Sequence, residues 1–395
     1  MKLNFFTIQS VFMFLFTVAA IAKPGVEFVE PDHAAGSSKA VIVDAAPLAH
    51  TTQVLPVNGK GEVVGKGDIE KQAEQVLSNL DRMLKQAKSS LNDSVKLNVY
   101  LRSSGLSDQV SNVLARKFRG KNPPAVTWVA GEMIHPDILV AMDAVAVSKI
   151  RLKGHSPVHF KARDSRFADV SVLPQGEVVY VAGLAAKGDL ASATRETMKQ
   201  IEAAIIHLGL TRRDIVQLKA FLLPMRDAGQ VKEEIGRFFE GMDVPAIILV
   251  DWVSSSVPVE IEAIVAAPPA NAESTVTYHT PPGIKASPVY SRLARVHGGK
   301  RIYISGLYGE SAVAENDVNE IYAEFDRLLK LAGSSRDHMA KATYYYSDPQ
   351  SNARLDAFRP SYYNPQTPPA ASKARVKEVG RRRKGIVIDM IAVTR

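Results

Sequence analysis

The chain has 395 residues, 46% apolar and 23% charged, the balance of a soluble globular protein with room for about two to four domains. It contains no cysteine, which excludes disulfides, a thiolate nucleophile, a zinc–thiolate site and a lipidated cysteine anchor. The formal net charge is +8, and much of the excess sits near the C-terminus in Arg381-Arg382-Arg383-Lys384.

From the N-terminus, Lys2 precedes an apolar run from Phe5 to Ala20, and Ala20-Ile21-Ala22 offers a small-x-small cleavage site before Lys23. That layout predicts a secretory signal peptide over 1–22. The alternative is an uncleaved anchor, since Leu3 to Ala22 is nearly long enough to span a bilayer. No later segment is so apolar, so the mature protein is expected to be secreted or periplasmic and free of the membrane. Residues 23–39 are polar and contain Pro and Gly, which reads as a loose leader.

Over 40–150, Val41-Ile42-Val43 predicts a strand, and Gln72, Val76, Leu80, Met83 and Leu84 mark one face of a long helix. Val95 to Leu101 predicts a central strand, Val110, Val113, Leu114 and Phe118 a second helix, and Pro124 to Val129 and 138–147 two closing strands. The same order returns more strongly over 151–267. A strand near Ala168 to Val172 leads into Val178-Val179-Tyr180-Val181-Ala182-Gly183. Met198, Ile201, Ala204, Ile205 and Leu208 then recur at helical spacing, with Gly209 where a C-cap glycine belongs. Ile215 to Leu222, a helix through Val231, Ile235, Phe238 and Phe239, Pro245 to Val250, and the alternating Val259 to Val265 complete the unit. After an Ala/Pro/Asn-rich linker, 268–282, the order begins a third time over 283–395. Arg301-Ile302-Tyr303-Ile304-Ser305-Gly306 matches Val178 to Gly183, and Ala332-Gly333 matches Leu208-Gly209.

The register hardly drifts. Pro124-Ala125, Pro245-Ala246 and Pro369-Ala370 lie 121 and then 124 residues apart, a period too long for a solenoid repeat and suited to a tandem domain. We therefore expect three α+β domains of order β-β-α-β-α-β-β, each with two helices on one face of a mixed sheet. Strands such as Ile247 to Val250 are apolar on both sides, so the second sheet face must be covered as well. Three sheets around a pseudo-threefold axis would cover one another, an intramolecular pseudo-trimer that is monomeric in solution. The basic run 381–384, just before Ile386-Val387-Ile388, reads as a solvated hairpin loop with no aromatic stacking platform nearby in sequence.

Val179 to Gly183, the helix end at Gly209, Asp214-Ile215-Val216, Pro245-Ala246 and Val259-Glu260-Ile261-Glu262-Ala263-Ile264 resemble the RidA/YjgF family. That family includes imine and enamine deaminases and proteins named L-PSP endoribonucleases. The resemblance covers about 110 residues of each repeat and implies chorismate-mutase-like domains with small-molecule clefts between neighbours. The family's deaminases place an arginine directly after the Pro-Ala pair, where it grips a substrate carboxylate. Here Val126, Ile247 and Ala371 stand there, with Arg375 four residues beyond. The family's cleft glutamate, which can orient a water, corresponds to Glu260, and to Ala141 and Val387 in the other repeats. Its Ser-Gly pair corresponds to Ser305-Gly306 and to Ala182-Gly183, and its aromatic clamp to Tyr290, with His159 in the middle repeat.

Apart from the resemblance, the nine histidines are scattered, and no P-loop, GxSxG or HExxH occurs, so neither metal nor cofactor is expected. His50 and His159 read as equivalent repeat positions near cleft mouths. Asp143, Glu262 and Asp389 share one repeat position and read as structural, facing solvent or a neighbouring domain. The expected protein binds small metabolites at inter-domain clefts, with deaminase activity lost or altered. Glu260 is the expected catalytic carboxylate, and His159, Tyr290, Ser305, Gly306 and Gly183 the ligand contacts, at the boundary of the middle and third domains. The alternatives are an active deaminase with a rearranged site and an RNA-binding or RNA-cleaving protein, although no nucleic acid partner is expected.

Overall fold

The computed structural model describes residues 25–163, 165–254, 256–310 and 316–395; the signal peptide expected over 1–22 lies outside them. The first repeat carries β1 (Val26–Asp32), β2 (Ser37–Val43), β3 (Leu48–Thr51), α1 (Ile69–Gln86), β4 (Ser94–Leu101), α2 (Ser107–Lys117), β5 (Ala125–Ala130) and β6 (Val140–Val147). The second carries β7 (Val158–Phe160), β8 (Val170–Leu173), β9 (Glu177–Leu184), α3 (Leu190–Ile206), β10 (Ile215–Leu222), α4 (Ala228–Phe238), β11 (Ala246–Asp251) and β12 (Val259–Ala267). The third carries β13 (Val276–His279), β14 (Leu293–Val296), β15 (Arg301–Leu307), α5 (Asp317–Leu331), β16 (Met339–Tyr346), α6 (Pro349–Tyr362), β17 (Ala370–Arg375), β18 (Glu378–Val379) and β19 (Ile386–Val393). None of the described helices is long and apolar enough to cross a membrane.

Local chemistry explains the boundaries. Asp68 and Asp189 accept backbone N–H bonds from Lys71 and Ser192 and so cap α1 and α3. Each long helix ends one turn later at a left-handed residue, Lys88, Gly209 or Gly333, with φ of 49°, 73° and 69°. The chain then folds back on the last turn, as when Leu210 N–H reaches Ile205 O at 3.1 Å.

The strand order holds a feature that periodicity does not reveal. One sheet runs β11-β10-β12-β9-β14-β13, and a 13-stranded sheet contains the same order twice, as β5-β4-β6-β3-β8-β7 and as β17-β16-β19-β15-β2, with β1 on β2. Its two parts meet where Ser38 of β2 pairs with Ala125 of β5, and β18 also pairs with β5. Each six-stranded set therefore takes its outer two strands from the hairpin that opens a different repeat. Residues 26–43, which take in most of the leader expected over 23–39, are not loose. They form the β1–β2 hairpin that completes the C-terminal sheet, pairing from Val43↔Arg301 to Ala40↔Ile304.

Reading across the sheets fixes the equivalences. His159 pairs with Ser171, and Ser171 with His50. Tyr278 pairs with Ala294, and Ala294 with Tyr180; Phe28 pairs with Val41, and Val41 with Tyr303. His50 is thus level with Tyr180 and Tyr303, while His159 is level with Tyr278 and Phe28. The two histidines sit level with each other in one sheet, with Ser171 on the strand between them, rather than at equivalent places in two repeats.

Each helix pair covers one sheet face over its own apolar cluster. The opposite faces meet in two shared clusters, one with Val145, Tyr180 and Tyr303, the other with Tyr100, Phe221 and Tyr345. A polar axis runs through this region. The same β-bulge precedes Lys96, Gln217 and Lys341 in the three central strands. Lys96 Nζ donates to Asp389 Oδ1 at 3.1 Å, Thr127 Oγ1 at 2.8 Å and Ile304 O at 2.6 Å. Lys341 Nζ lies 2.8 Å and Lys219 Nζ 3.9 Å from Glu262 Oε1, and Ser372 Oγ donates to Glu262 Oε2 at 2.6 Å. Asp143 accepts from Asn98 Nδ2 at 2.9 Å and Tyr100 OH at 2.7 Å. Asp143, Glu262 and Asp389 are 1%, 3% and 8% exposed, so they face neighbouring repeats and not solvent. Burial alone would raise the Glu262 and Asp389 carboxyls, but the surrounding lysines outweigh it and hold both below the ordinary range.

Removing one lysine from this axis leaves a buried carboxylate without its partner. Lys96→Met is expected to cost about 3–5 kcal/mol in urea unfolding. Lys60→Met, at an exposed turn, should change stability by less than about 0.5 kcal/mol.

Candidate functional site

Where two sheets abut, the segment at a Pro-Ala pair lies against the preceding repeat. At the first–second boundary, Thr52 Oγ1 and Gln53 N–H donate to Ile247 O at 2.7 and 3.0 Å. At the second–third boundary, Ser291 N–H donates to Pro369 O at 3.0 Å, and β17 runs close to β9. At the third–first boundary, Ser305 Oγ accepts Val126 N–H at 2.7 Å and donates to Ser38 O at 2.6 Å. The three positions after Pro-Ala, Ile247, Ala371 and Val126, therefore serve three separate clefts.

The second–third boundary keeps a carboxylate. Glu260 lies on β12 directly over Gly183 of β9, where an added Cβ would stand 2.1 Å from Glu260 Oε1. Glycine is what permits this approach. Oε1 is buried and has no hydrogen-bond partner among the described residues. Burial, then the neighbouring Glu262 charge, push the Glu260 pKa up to about 8 against the opposing pull of Arg292 and Lys373. The group is therefore largely protonated at neutral pH and acts as a hydrogen-bond donor. Arg292 reaches the same place from just ahead of β14: its backbone O accepts Ala182 N–H at 2.9 Å, and its guanidinium lies 5.1 Å from the Tyr290 ring centre. Arg292 Nε is buried and unpartnered too. Lys373 is held by two 2.9 Å bonds to Asp356.

The other clefts differ. At the third–first boundary a cleft of about 610 Å³ is lined by Ser305, Gly306, Val126, Trp128, Tyr308 and Lys39. The Ser305 hydroxyl already donates its one proton to a backbone carbonyl and accepts a backbone N–H, and Gly306 makes room for Val387, whose Cγ2 would lie 2.8 Å from an added Cβ. At the first–second boundary Gln53, Tyr100, Met133 and Leu249 leave only about 10 Å³. His159 belongs to that side of the molecule. Its Nδ1 lies 2.9 Å from Ser171 Oγ, which in turn accepts Ala246 N–H at 3.0 Å.

Glu260 and Gly183 thus meet, with Tyr290 beside Arg292 at the same boundary, while Ser305 with Gly306, and His159, lie at two other boundaries. Hairpin exchange is the reason: the strand opening each repeat joins the sheet before it. Sequence reasoning passed over Arg292. The cross-sheet register aligns it with Lys39 and Asp169, and a cation two residues after the aromatic Tyr290 was the available signal. The basic run is largely exposed, as expected of a solvated loop, but it has an aromatic neighbour in space: Arg381 lies 5.0 Å from the Tyr308 ring centre, and Arg382 reaches Gly105 O at 3.4 Å. Among the described residues no group of three or more His, Asp or Glu is placed to hold a metal.

Comparison with known proteins adds to this geometry. A model of the Endoribonuclease L-PSP family matches residues 29–148 and again 165–267, more than half of the chain. A RutC family protein of Pyrococcus horikoshii is 38% identical over 93 residues, 23% of this chain and 72% of that protein. Protein DfrA of Myxococcus xanthus is 31% identical over 111 residues, 28% of this chain and 84% of that protein. Among solved structures, the Rid family protein YyfB of Yersinia pestis is 25% identical, covers 31% of this chain and 98% of its own, and has a TM-score of 0.29. Yeast Mmf1, also 25% identical, covers 32% and 100% with a TM-score of 0.25.

The raised carboxyl gives a pH test. Below its ordinary value near 4.5, Glu260 is protonated both folded and unfolded; as pH rises towards about 8 the unfolded chain ionises first, and stability is lost. Glu260→Gln should therefore melt like the parent at pH 4 and be more stable at pH 9, by about 1–3 kcal/mol. Thermal melts across that range check it.

Proposed function

Because the chain belongs to the Endoribonuclease L-PSP family, we propose that it is a secreted small-metabolite-binding member whose three chorismate-mutase-like domains form an intramolecular pseudo-trimer. Its ligand sits at the second–third boundary. One observation carries this reading: Glu260 Oε1 and Arg292 Nε are both buried, both unpaired, and electrostatically coupled at the same boundary. A small ligand with an acidic group and a hydrogen-bond acceptor would satisfy both. The other two boundaries have Ala141 and Val387 in place of Glu260.

Deaminase chemistry is altered in this account. No arginine follows a Pro-Ala pair, and a protonated Glu260 donates a hydrogen bond instead of drawing a proton from water. The second reading, an active deaminase with a rearranged site, is favoured by Arg292, which brings a cation to Glu260 from the other flank of β9 in the same sheet. This reading also assigns the position at which an arginine would supply the family's carboxylate contact. The Ile247 carbonyl is taken by Thr52 and Gln53 of the first repeat while its side chain packs in the second repeat's own cluster, so the Pro-Ala segment that belongs with the Glu260 boundary is the one before Ala371.

Ammonia release from a freshly generated 2-imino acid separates the two readings. The parent protein should turn over near background, Ala371→Arg should raise turnover at least about tenfold, ~1.4 kcal/mol, and adding Glu260→Ala should abolish the gain. Parent turnover well above background that Glu260→Ala destroys would establish the rearranged enzyme instead.

A further inference from the structure

A groove of about 830 Å³ opens away from the three clefts, where the N-terminal hairpin passes the end of β6. Its walls are apolar: Val26 and Phe28 of β1 on one side, Pro47 and Val147 below, and Ile150 and Leu152 opposite. Val26 and Phe28 pack on the shared central cluster and Ile150 and Leu152 on the first repeat's own cluster, so two cores reach the surface side by side. The rim is basic. Lys149 is paired with Asp93 at 3.5 Å, whereas Arg151 is exposed and makes no hydrogen bond or ion pair among the described residues.

We propose that this groove binds a free single-chain amphiphile with an anionic head, a fatty-acid-like carboxylate, its alkyl chain along Phe28, Ile150 and Leu152 and its carboxylate at Arg151. The volume lies within the range of ligand pockets, about 300–1,000 Å³. Apolar walls reward each methylene removed from water, and the unpaired guanidinium at the rim selects an anion over a neutral or cationic head. A headgroup in a bilayer would present the same charge, but the groove places its cation at the mouth and its apolar surface inside, which suits an extracted chain. The proposal stands independently of the Glu260 cleft.

Calorimetric titration of the mature chain with hexanoate, octanoate, decanoate and dodecanoate, below their micelle concentrations, tests it. Affinity should rise about threefold to fourfold per methylene. Arg151→Glu should weaken dodecanoate binding about tenfold while leaving dodecanol unchanged. Leu152→Glu should abolish both, and because Leu152 also packs on the first repeat's cluster, Arg151→Glu keeps the test open should Leu152→Glu fail to fold. Affinity independent of chain length, binding to anionic vesicles but to no free carboxylate, or a dimer of the chain broken by Leu152→Glu would each overturn the proposal.

Discussion

Three lysines and three carboxylates lie buried where the sheets of this protein face one another, and the architecture depends on their pairing. Lys96 of the first repeat bonds to Asp389 of the third, and Lys341 of the third to Glu262 of the second. Ions withdrawn from water are tolerated only when partners and extra hydrogen bonds replace hydration. Thr127, Asn98 and Tyr100 supply those bonds within the first repeat, and Ser372 of the third repeat supplies one to Glu262 of the second. Pulling one repeat away would expose apolar clusters and also leave charges uncompensated in a low-dielectric interior. The exchanged hairpins add a backbone counterpart, since each repeat lends its opening strands to another sheet.

Fusion into one chain has a consequence for the clefts. In a symmetric assembly a substitution alters every cleft alike; in a tandem chain each boundary is free to change separately. The three boundaries here have done so. One holds Glu260 and Arg292, one has a roomy pocket whose serine is tied to backbone groups, and one is closed by side chains. Nothing in the axis requires the clefts to match, because Lys96, Lys219 and Lys341 sit on the inward faces of the central strands, away from the variable positions.

Much of this was legible in the sequence. Helical spacing placed α1, α3 and α5, the Pro-Ala pairs fixed the repeat, and Gly183 and Glu260 were identified together. Two features were not. A short apolar hairpin pairs equally well with either sheet edge by its alternation alone, so the exchange of β1–β2, β7–β8 and β13–β14 left no mark in periodicity. Lys96 and Lys341 resemble surface lysines read singly. Their signal was positional, a lysine at the same place in two otherwise apolar strands, with an acid at a second shared repeat position. Missing the exchange misassigned the company of Ser305 and His159. It also hid Arg292, whose strand looked like part of another domain.

The account rests on one chain supplying all the neighbours that its clefts and buried charges require. Sedimentation equilibrium of the protein, diluted from high micromolar to nanomolar concentration, tests this most directly. A mass of one chain throughout, with the folded circular dichroism spectrum retained, is the predicted result. A mass of three chains that persists on dilution, or loss of the folded spectrum as an assembly dissociates, would contradict it.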